Sequence, residues 1–157
     1  MKKEVSLESV DSGIEVKIEK GFDPKGYFKT RKGLWVSGSF AEKILSAAET
    51  TKDAGQFSLA SFKLLKYSTD KEIEAELPKN HLFSETEVCA VIASLLEKQP
   101  KGKDGVLIND GNWNLFYTPA FVVSVTWSAD DSEWIVYCWH RGGHGWRDGS
   151  RVFSPAN

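Results

Sequence analysis

The stretch FVVSVTWSADDSEWIVYCWH, which spans Phe121 to His140, determines the fold of this chain. Two apolar, alternating runs flank the polar segment SADDS, which is typical of a β-hairpin. If Asp130 and Asp131 form the tip, opposed residues share a face of the sheet, whereas a four- or five-residue loop would shift this register. The sequence then predicts four facing pairs: Ala129 and Ser132, Trp127 and Trp134, Val125 and Val136, and Val123 and Cys138.

Both faces of this predicted hairpin are apolar. Ile135, Tyr137 and Trp139 alternate with Trp134 and Val136, so large side chains point to both sides. We expect one face to cover helices. The other face must then meet another element of the chain or another chain.

The clearest helix is predicted over residues 85 to 98. Ser84 and Glu87 have the spacing of a capping box, and Phe83 and Val88 stand at hydrophobic-staple positions. Pro100 follows and stops the helix. An apolar stripe recurs at helical spacing, which we expect to pack on the hairpin: Val88, Val91, Ile92, Leu95 and Leu96.

The remaining elements are predicted from alternation, capping pairs and turn residues. Residues 1 to 12 are expected to be loosely held. Ser39 and Glu42 predict the start of one further helix, and Thr69 with Glu72 predicts another over residues 70 to 76, a segment whose alternation also permits a strand. The predicted strands are 14–18, 27–30, 34–36, 57–67, 106–108, 112–118 and 151–153.

Together these elements predict an α+β fold within a single domain over residues 1 to 157. An antiparallel sheet of C-terminal hairpins would be covered on one face by two or three helices. The length suffices for a core without disulfides.

The composition excludes few functions. Apolar residues make up 41% of the chain, charged residues 27%, and the net charge of −2 gives no general attraction to nucleic acid or to an anionic membrane. No secretory signal and no membrane-spanning apolar run is visible, so we expect a cytoplasmic protein. Cys89 and Cys138 are then expected to be buried free thiols.

The glycine-rich loop after His140 contains the residues we consider for binding. Glycines contribute no side-chain packing, and cations beside flat rings are enriched at interfaces. The predicted binding residues are Arg141, Trp146, Arg147 and Arg151. Trp146 has two alternative roles: it is an exposed anchor for a partner, or it folds back and closes the open hairpin face.

A weaker hypothesis makes the same loop a metal site. His140, His144 and Asp148 follow H-x3-H-x3-D spacing, which would align them on a helix, but Gly142, Gly143 and Gly145 disfavour a helix there. No phosphate-binding loop and no nucleophile elbow occurs, so the sequence predicts no cofactor.

Four segments together resemble small uncharacterised bacterial proteins of the kind found in prophages and other mobile elements. The resemblance spans most of the chain, contains no named motif, and implies no activity and no site residues. The segments are Arg31 to Val36, Leu77 to Phe83, Asn112 to Tyr117 and Arg151 to Pro155.

Three classes of function therefore stay open. The first is a non-catalytic interaction or accessory protein that binds a protein partner or self-associates through the spare hairpin face. The second is a nucleic-acid binder that uses the C-terminal arginines and tryptophans. The third is an enzyme or metal protein that uses His140, His144 and Asp148.

Overall fold

The computed structural model describes residues 5 to 156. The described chain contains strands β1 to β9 and helices α1 to α4, with five of the strands following the last helix. In order, they are β1 (Leu7–Ile18), α1 (Pro24–Tyr27), β2 (Leu34–Val36), α2 (Gly38–Phe40, continued by a π-helical turn over Ala41–Leu45), β3 (Gly55–Leu64), β4 (Ser68–Thr69), α3 (Asp70–Glu76), α4 (Glu85–Glu97), a 3-10 turn (Pro100–Gly102), β5 (Asn114–Tyr117), β6 (Phe121–Ser128), β7 (Glu133–His140), β8 (Gly145–Trp146) and β9 (Arg151–Pro155).

Seven strands of the described chain form one sheet in the order β1, β3, β9, β5, β6, β7, β2. Neighbours are antiparallel except for the parallel pairs β5–β9 and β2–β7. Strands β4 and β8 form a separate antiparallel ribbon. The α+β prediction, a mostly antiparallel sheet with helices on it, is confirmed.

The β6–β7 hairpin has the predicted register. Residues 129 to 132 close it, and Ser128 pairs with Glu133. Because side chains alternate along each strand, this register fixes which residues face the helices and which face away. The confirmed pairs are Val123 with Cys138, Val125 with Val136, and Trp127 with Trp134.

Helix α4 covers one face of the sheet together with α1 and α2. Its capping box is formed as predicted: the Ser84 hydroxyl accepts from the Glu87 amide, and the Glu87 carboxylate accepts from the Ser84 amide. The whole predicted stripe of α4 is buried in one cluster with Val123, Val125 and Val136 of the hairpin. Each such side chain stabilises the fold by roughly 1.5–3 kcal/mol relative to full exposure.

The opposite face of the sheet has its own, smaller cluster. Helix α3 lies there with Ile73 and Leu77, beside Trp146 from the C-terminal loop. These side chains contact Leu115 and Tyr117 of β5, among others. The second hairpin face is therefore covered in part by the chain itself.

The predicted capping box of Ser39 and Glu42 is wrong. Ser37 caps α2, since its backbone is extended and its hydroxyl accepts from the Phe40 amide at 3.1 Å. The Ser39 hydroxyl instead lies 3.0 Å from the Ser37 hydroxyl and donates to the Cys138 carbonyl at 3.1 Å. The helix thus begins two residues earlier than its sequence pattern indicates.

Two predicted strands are also absent from the described chain. The first, over residues 27–30, is preceded by Pro24, which favours a helical turn, and Phe28 donates to the Pro24 carbonyl. The second, over residues 106–108, has side chains as hydrogen-bonding partners. The Gln99 side-chain amide accepts a hydrogen bond from the Leu107 N–H and donates one to the Leu107 carbonyl. The Asn114 side-chain amide does the same for the N–H and carbonyl of Ile108.

The start of the chain is more ordered than predicted. Residues 7 to 12 belong to β1, and the Glu76 carboxylate accepts from the amides of Ser6 and Leu7 at 2.8 and 3.0 Å. The expectation for Met1 to Glu4 falls outside the described residues. No helix within residues 5 to 156 is long and apolar enough to cross a membrane.

Candidate interaction surface

A buried carboxylate organises the C-terminal loop. Asp70, the first residue of α3, has no exposed surface. Its Oδ1 accepts from the Tyr117 hydroxyl at 2.7 Å and from Trp146 Nε1 at 2.8 Å. Its Oδ2 accepts from the amides of Gly142 and His144 at 2.9 and 3.2 Å. Four donors thus compensate a charge that would be costly to bury alone.

Asp70 also connects the C-terminal loop to α3 and β5. The Asp70 amide donates to the His144 carbonyl at 3.0 Å. Burial and the Asp70 carboxylate raise the pKa of Tyr117 well above its usual range, so its hydroxyl keeps the proton that it donates. The loop is therefore held by α3 and β5 rather than projecting into solvent.

Trp146 is not an exposed anchor, and that prediction is wrong. Its side chain is 5% exposed and packs in the cluster of α3 and β5. Packing of the ring in this cluster favours burial, and the indole N–H keeps a hydrogen-bond acceptor there because it donates to Asp70. The alternative prediction, that Trp146 folds back and closes part of the hairpin face, is confirmed.

Arg141 is used within the fold. Its Nε lies 2.7 and 2.9 Å from the two carboxylate oxygens of Glu74, and its Nη1 donates to the Pro119 carbonyl. His81 Nε2 lies 2.7 Å from the same Glu74 carboxylate. Arg141 thereby connects α3 to the turn between β5 and β6.

Arg147 and Arg151 lie apart from this ion pair. Arg147 is exposed, and its Nη2 donates to the Asn112 side chain at 3.1 Å. Arg151 is partly buried in β9, and its Nη1 is buried without a hydrogen-bond partner among the described residues. The role of these arginines in binding stays a prediction.

The histidines and Asp148 occupy separate surroundings. The exposed His140 has its ring 5.4 Å from that of Phe121, whereas the His144 ring lies 4.6 Å from that of Trp139. Asp148 is exposed. Within residues 5 to 156, no three His, Cys, Asp or Glu side chains are grouped as metal ligands would be. The hypothesis that the loop brings His140, His144 and Asp148 together as a metal site is therefore not supported by their positions.

Both cysteines are buried free thiols, as predicted. Burial raises the pKa of Cys89 to about 12 and that of Cys138 to about 11. Both thiols therefore stay protonated near neutral pH, where only a thiolate is a strong nucleophile.

A row of aromatic rings crosses the sheet face opposite α4. The Tyr137 ring lies 5.2 Å from that of Trp35, 5.9 Å from Trp113 and 5.5 Å from Trp139. The row extends to the Trp146 ring, whose centre lies 6.1 Å from that of Trp113 and 6.3 Å from that of Trp139. These are ordinary separations for interacting rings, so the row is a continuous layer.

The outer end of this row is only partly covered by the chain. Trp35, Ile135 and Tyr137 are partly exposed, and they belong to neither of the two core clusters of the described chain. We call these three residues the Tyr137 patch. Trp35 and Ile135 face each other across the parallel β2–β7 pair, so the patch spans two strands.

The edge of the sheet beside the patch is closed. Leu34 exchanges both backbone hydrogen bonds with Arg31, and the Val36 amide donates to the Thr30 hydroxyl at 3.0 Å. The outward backbone groups of β2 are thereby satisfied, so a further strand has little to pair with. Contact with a partner here must use the side chains of the face.

A carboxylate lies on the same face of β7 as the patch. Glu133 shares this face with Ile135 and Tyr137, since all three alternate along the strand. The alternation in β7 indicated this apolar face in the sequence, but nothing local to Trp35 places it beside Tyr137.

Comparison with protein-family models, curated proteins and solved structures found no significant match to this chain.

Proposed function

We propose that this protein is a non-catalytic, cytoplasmic interaction protein that self-associates through the Tyr137 patch. One observation carries the proposal: Trp35, Ile135 and Tyr137 form a contiguous aromatic and aliphatic surface that the rest of the described chain leaves partly exposed. Aromatic side chains are enriched at protein interfaces and dominate their binding energy.

A second copy of this chain is the partner that fits the patch best. A two-fold interface joins the same surface of both copies, so it must be self-complementary. Flat rings on a sheet face meet this requirement, because the Trp35 and Tyr137 rings of one copy can pack against those of another. The closed edge of β2 favours face-to-face contact over strand addition.

The C-terminal loop supports nucleic-acid binding less well. Stacking on bases needs exposed rings beside free cations. Trp146 is buried, and Arg141 is paired with Glu74. Two of the four predicted binding residues are thereby used for folding.

The proposal is tested by sedimentation equilibrium over a wide range of protein concentration. We expect the average mass to rise from monomer to dimer. The Ile135→Glu variant places like charges at the centre of the interface, and it should raise the dissociation constant by at least ~tenfold.

Val10→Glu is the matched control, because Val10 is also a β-branched residue in a strand but is 49% exposed and remote from β7 in the sheet. This variant should associate as the wild type does. A wild-type protein that stays monomeric at every concentration contradicts the proposal. Equal effects of the two variants would place the interface elsewhere.

A further inference from the structure

A cleft of about 620 Å³ lies at the end of the sheet where the turn between β6 and β7 closes the hairpin. Its walls are the segment between α1 and β2, the C-terminal end of α4 with the following 3-10 turn, and the β6–β7 turn. Small-molecule sites are concave spaces of roughly 300–1,000 Å³, so this cleft has the size of a ligand site.

The cleft carries an excess of positive charge in a protein whose net charge is −2. Arg31, Lys32 and Lys101 line it, against a single carboxylate, that of Glu97. Among residues 5 to 156, none of the three cations forms an ion pair. Cations that share a concave site attract an anion more strongly than isolated surface cations do.

Two other clefts of the described chain carry a smaller excess of positive charge or none. A neighbouring cleft of about 400 Å³ contains two lysines and two glutamates, namely Lys17, Glu19, Glu97 and Lys98. A cleft of about 590 Å³ beside α3 contains Lys71 and the paired Glu74 and Arg141. The 620 Å³ cleft therefore has the largest excess of positive charge of these three, and its cations are not used in ion pairs within the described chain.

Three aromatic rings give the cleft flat, fixed walls. The Trp134 indole donates to the Gln99 carbonyl at 2.9 Å, and its ring lies 5.4 Å from that of Trp127. The guanidinium of Arg31 lies 4.6 Å above the third ring, that of Tyr27. Burial and Glu97 raise the pKa of Tyr27 to about 12, so its hydroxyl stays a hydrogen-bond donor.

Gly102 lets the backbone pack against one face of Trp127. A Cβ at this position would lie 2.2 Å from the Trp127 ring, so the backbone of the 3-10 turn packs directly on the indole. Only glycine permits this approach, and its φ of +73° also favours glycine. The aromatic wall is thus built before any ligand arrives.

Backbone strain is concentrated at the same cleft. Lys101 and Ser132 are the two non-glycine residues within residues 5 to 156 that have positive φ, at 58° and 53°. Both line the cleft, from two different turns. Such conformations cost free energy and cluster at functional sites, where they aim a side chain or a backbone group at a ligand.

We propose that this cleft binds a small anion that carries a planar aromatic ring. The ring stacks against the partly exposed Trp127, and Lys32 and Lys101 engage a phosphate or carboxylate on it. Both anions offer oxygen acceptors to a lysine ammonium, and a lysine makes stronger hydrogen bonds to a charged acceptor than to a neutral one. This inference is independent of self-association, because the Tyr137 patch lies on the opposite face of the sheet.

Titration calorimetry with four probes tests the proposal. AMP carries a ring and a phosphate, indole-3-acetate a ring and a carboxylate, adenosine a ring alone, and inorganic phosphate an anion alone. We expect AMP, indole-3-acetate or both to bind saturably, at least ~tenfold more tightly than adenosine or phosphate. Binding of AMP alone assigns a phosphate ligand, and binding of indole-3-acetate alone assigns a carboxylate.

Two variants and a control locate the binding. Lys101→Asn removes the cation while keeping a residue that tolerates positive φ, and Lys32→Gln removes a second cation from an exposed turn. Each should weaken binding of the tighter probe several-fold. Lys103→Asn, in the same loop but not lining the cleft, should leave it unchanged.

Three results would overturn the proposal. In the first, neither AMP nor indole-3-acetate binds. In the second, adenosine or phosphate binds as tightly as the ring-bearing anions, so the two features do not act together. In the third, Lys32→Gln and Lys101→Asn bind like the wild type while both melt cooperatively at its temperature.

Discussion

The buried carboxylate of Asp70 gives the sharpest prediction about stability. Replacing it by asparagine keeps the shape of the side chain but removes one of the two acceptor oxygens. Four donors contact this carboxylate, two on each oxygen. The amide NH₂ of asparagine must therefore face a pair of donors, whichever way it is oriented.

The size of the effect follows from these contacts. With the NH₂ toward Oδ1, the Tyr117 hydroxyl can rotate and accept, but the Trp146 N–H loses its acceptor. With the NH₂ toward Oδ2, the amides of Gly142 and His144 both lose theirs. Since a hydrogen bond to a charged group contributes about 1.5–3 kcal/mol, we expect Asp70→Asn to lower the free energy of unfolding by about 2–5 kcal/mol.

Urea unfolding followed by tryptophan fluorescence measures this loss, and hydrogen exchange of the Gly142 and His144 amides reports on the loop itself. Asp148→Asn is the control, because Asp148 lies in the same segment but is exposed, and it should change stability by less than about 0.5 kcal/mol. If Asp70→Asn lowered the free energy of unfolding as little as this control does, the proposed role of the four hydrogen bonds to Asp70 would be refuted.

Three further predictions concern the core, a glycine and pH. Leu95→Ala should cost about 2–5 kcal/mol in denaturant unfolding, because Leu95 is 1% exposed in the core under α4. Gly102→Ala should lower the melting temperature more than Gly21→Ala does. Both glycines have φ near +75°, so the backbone strain is the same, but only at Gly102 would the new Cβ clash with Trp127. The difference between the two variants therefore measures the cost of this clash. Raising the pH from about 9 towards about 12 should lower the free energy of unfolding. The pKa of Cys89 is near 9.0 in the unfolded chain and about 12 in the folded one. The unfolded state therefore loses the thiol proton at lower pH, which stabilises it relative to the folded state. Cys89→Ala should make this pH dependence shallower, and an unchanged slope would contradict the assigned cause.

Elements set by local patterns were predictable from the sequence. The register of the hairpin follows from alternation around a polar turn, and α4 follows from a capping box and an apolar stripe. Helix α3 is likewise capped by Thr69 and covers residues 70 to 76, as its capping box predicts. In these segments the partners lie within a few residues, so spacing alone identifies them.

Features that depend on distant partners were not predictable. The carboxylate of Asp70 bonds groups more than 70 residues away, and no spacing relates them. Side-chain amides of Gln99 and Asn114 take the place of a strand partner for residues 107 and 108. The glycine-rich loop around Trp146 favours an exposed role in the sequence, whereas the acceptor that allows the ring to be buried, Asp70, lies 76 residues away along the chain.

The surfaces considered for function were only partly predictable. Alternation in β7 identified an apolar face that needs a cover, but the sequence does not indicate that Trp35 joins it or that α3 covers only part of it. The cationic cleft combines three separate segments of the chain. Its strained residues, Lys101 and Ser132, carry no sequence signal for positive φ.

Residue-resolved hydroxyl-radical labelling at low and at high protein concentration tests the proposed self-association most directly. We predict that Trp35 and Tyr137 become protected as concentration rises, because the Tyr137 patch is then covered by a second copy. Tyr67, which is 65% exposed and lies outside the patch, should be labelled equally at both concentrations. Equal labelling of Trp35 and Tyr137 at all concentrations would contradict the account.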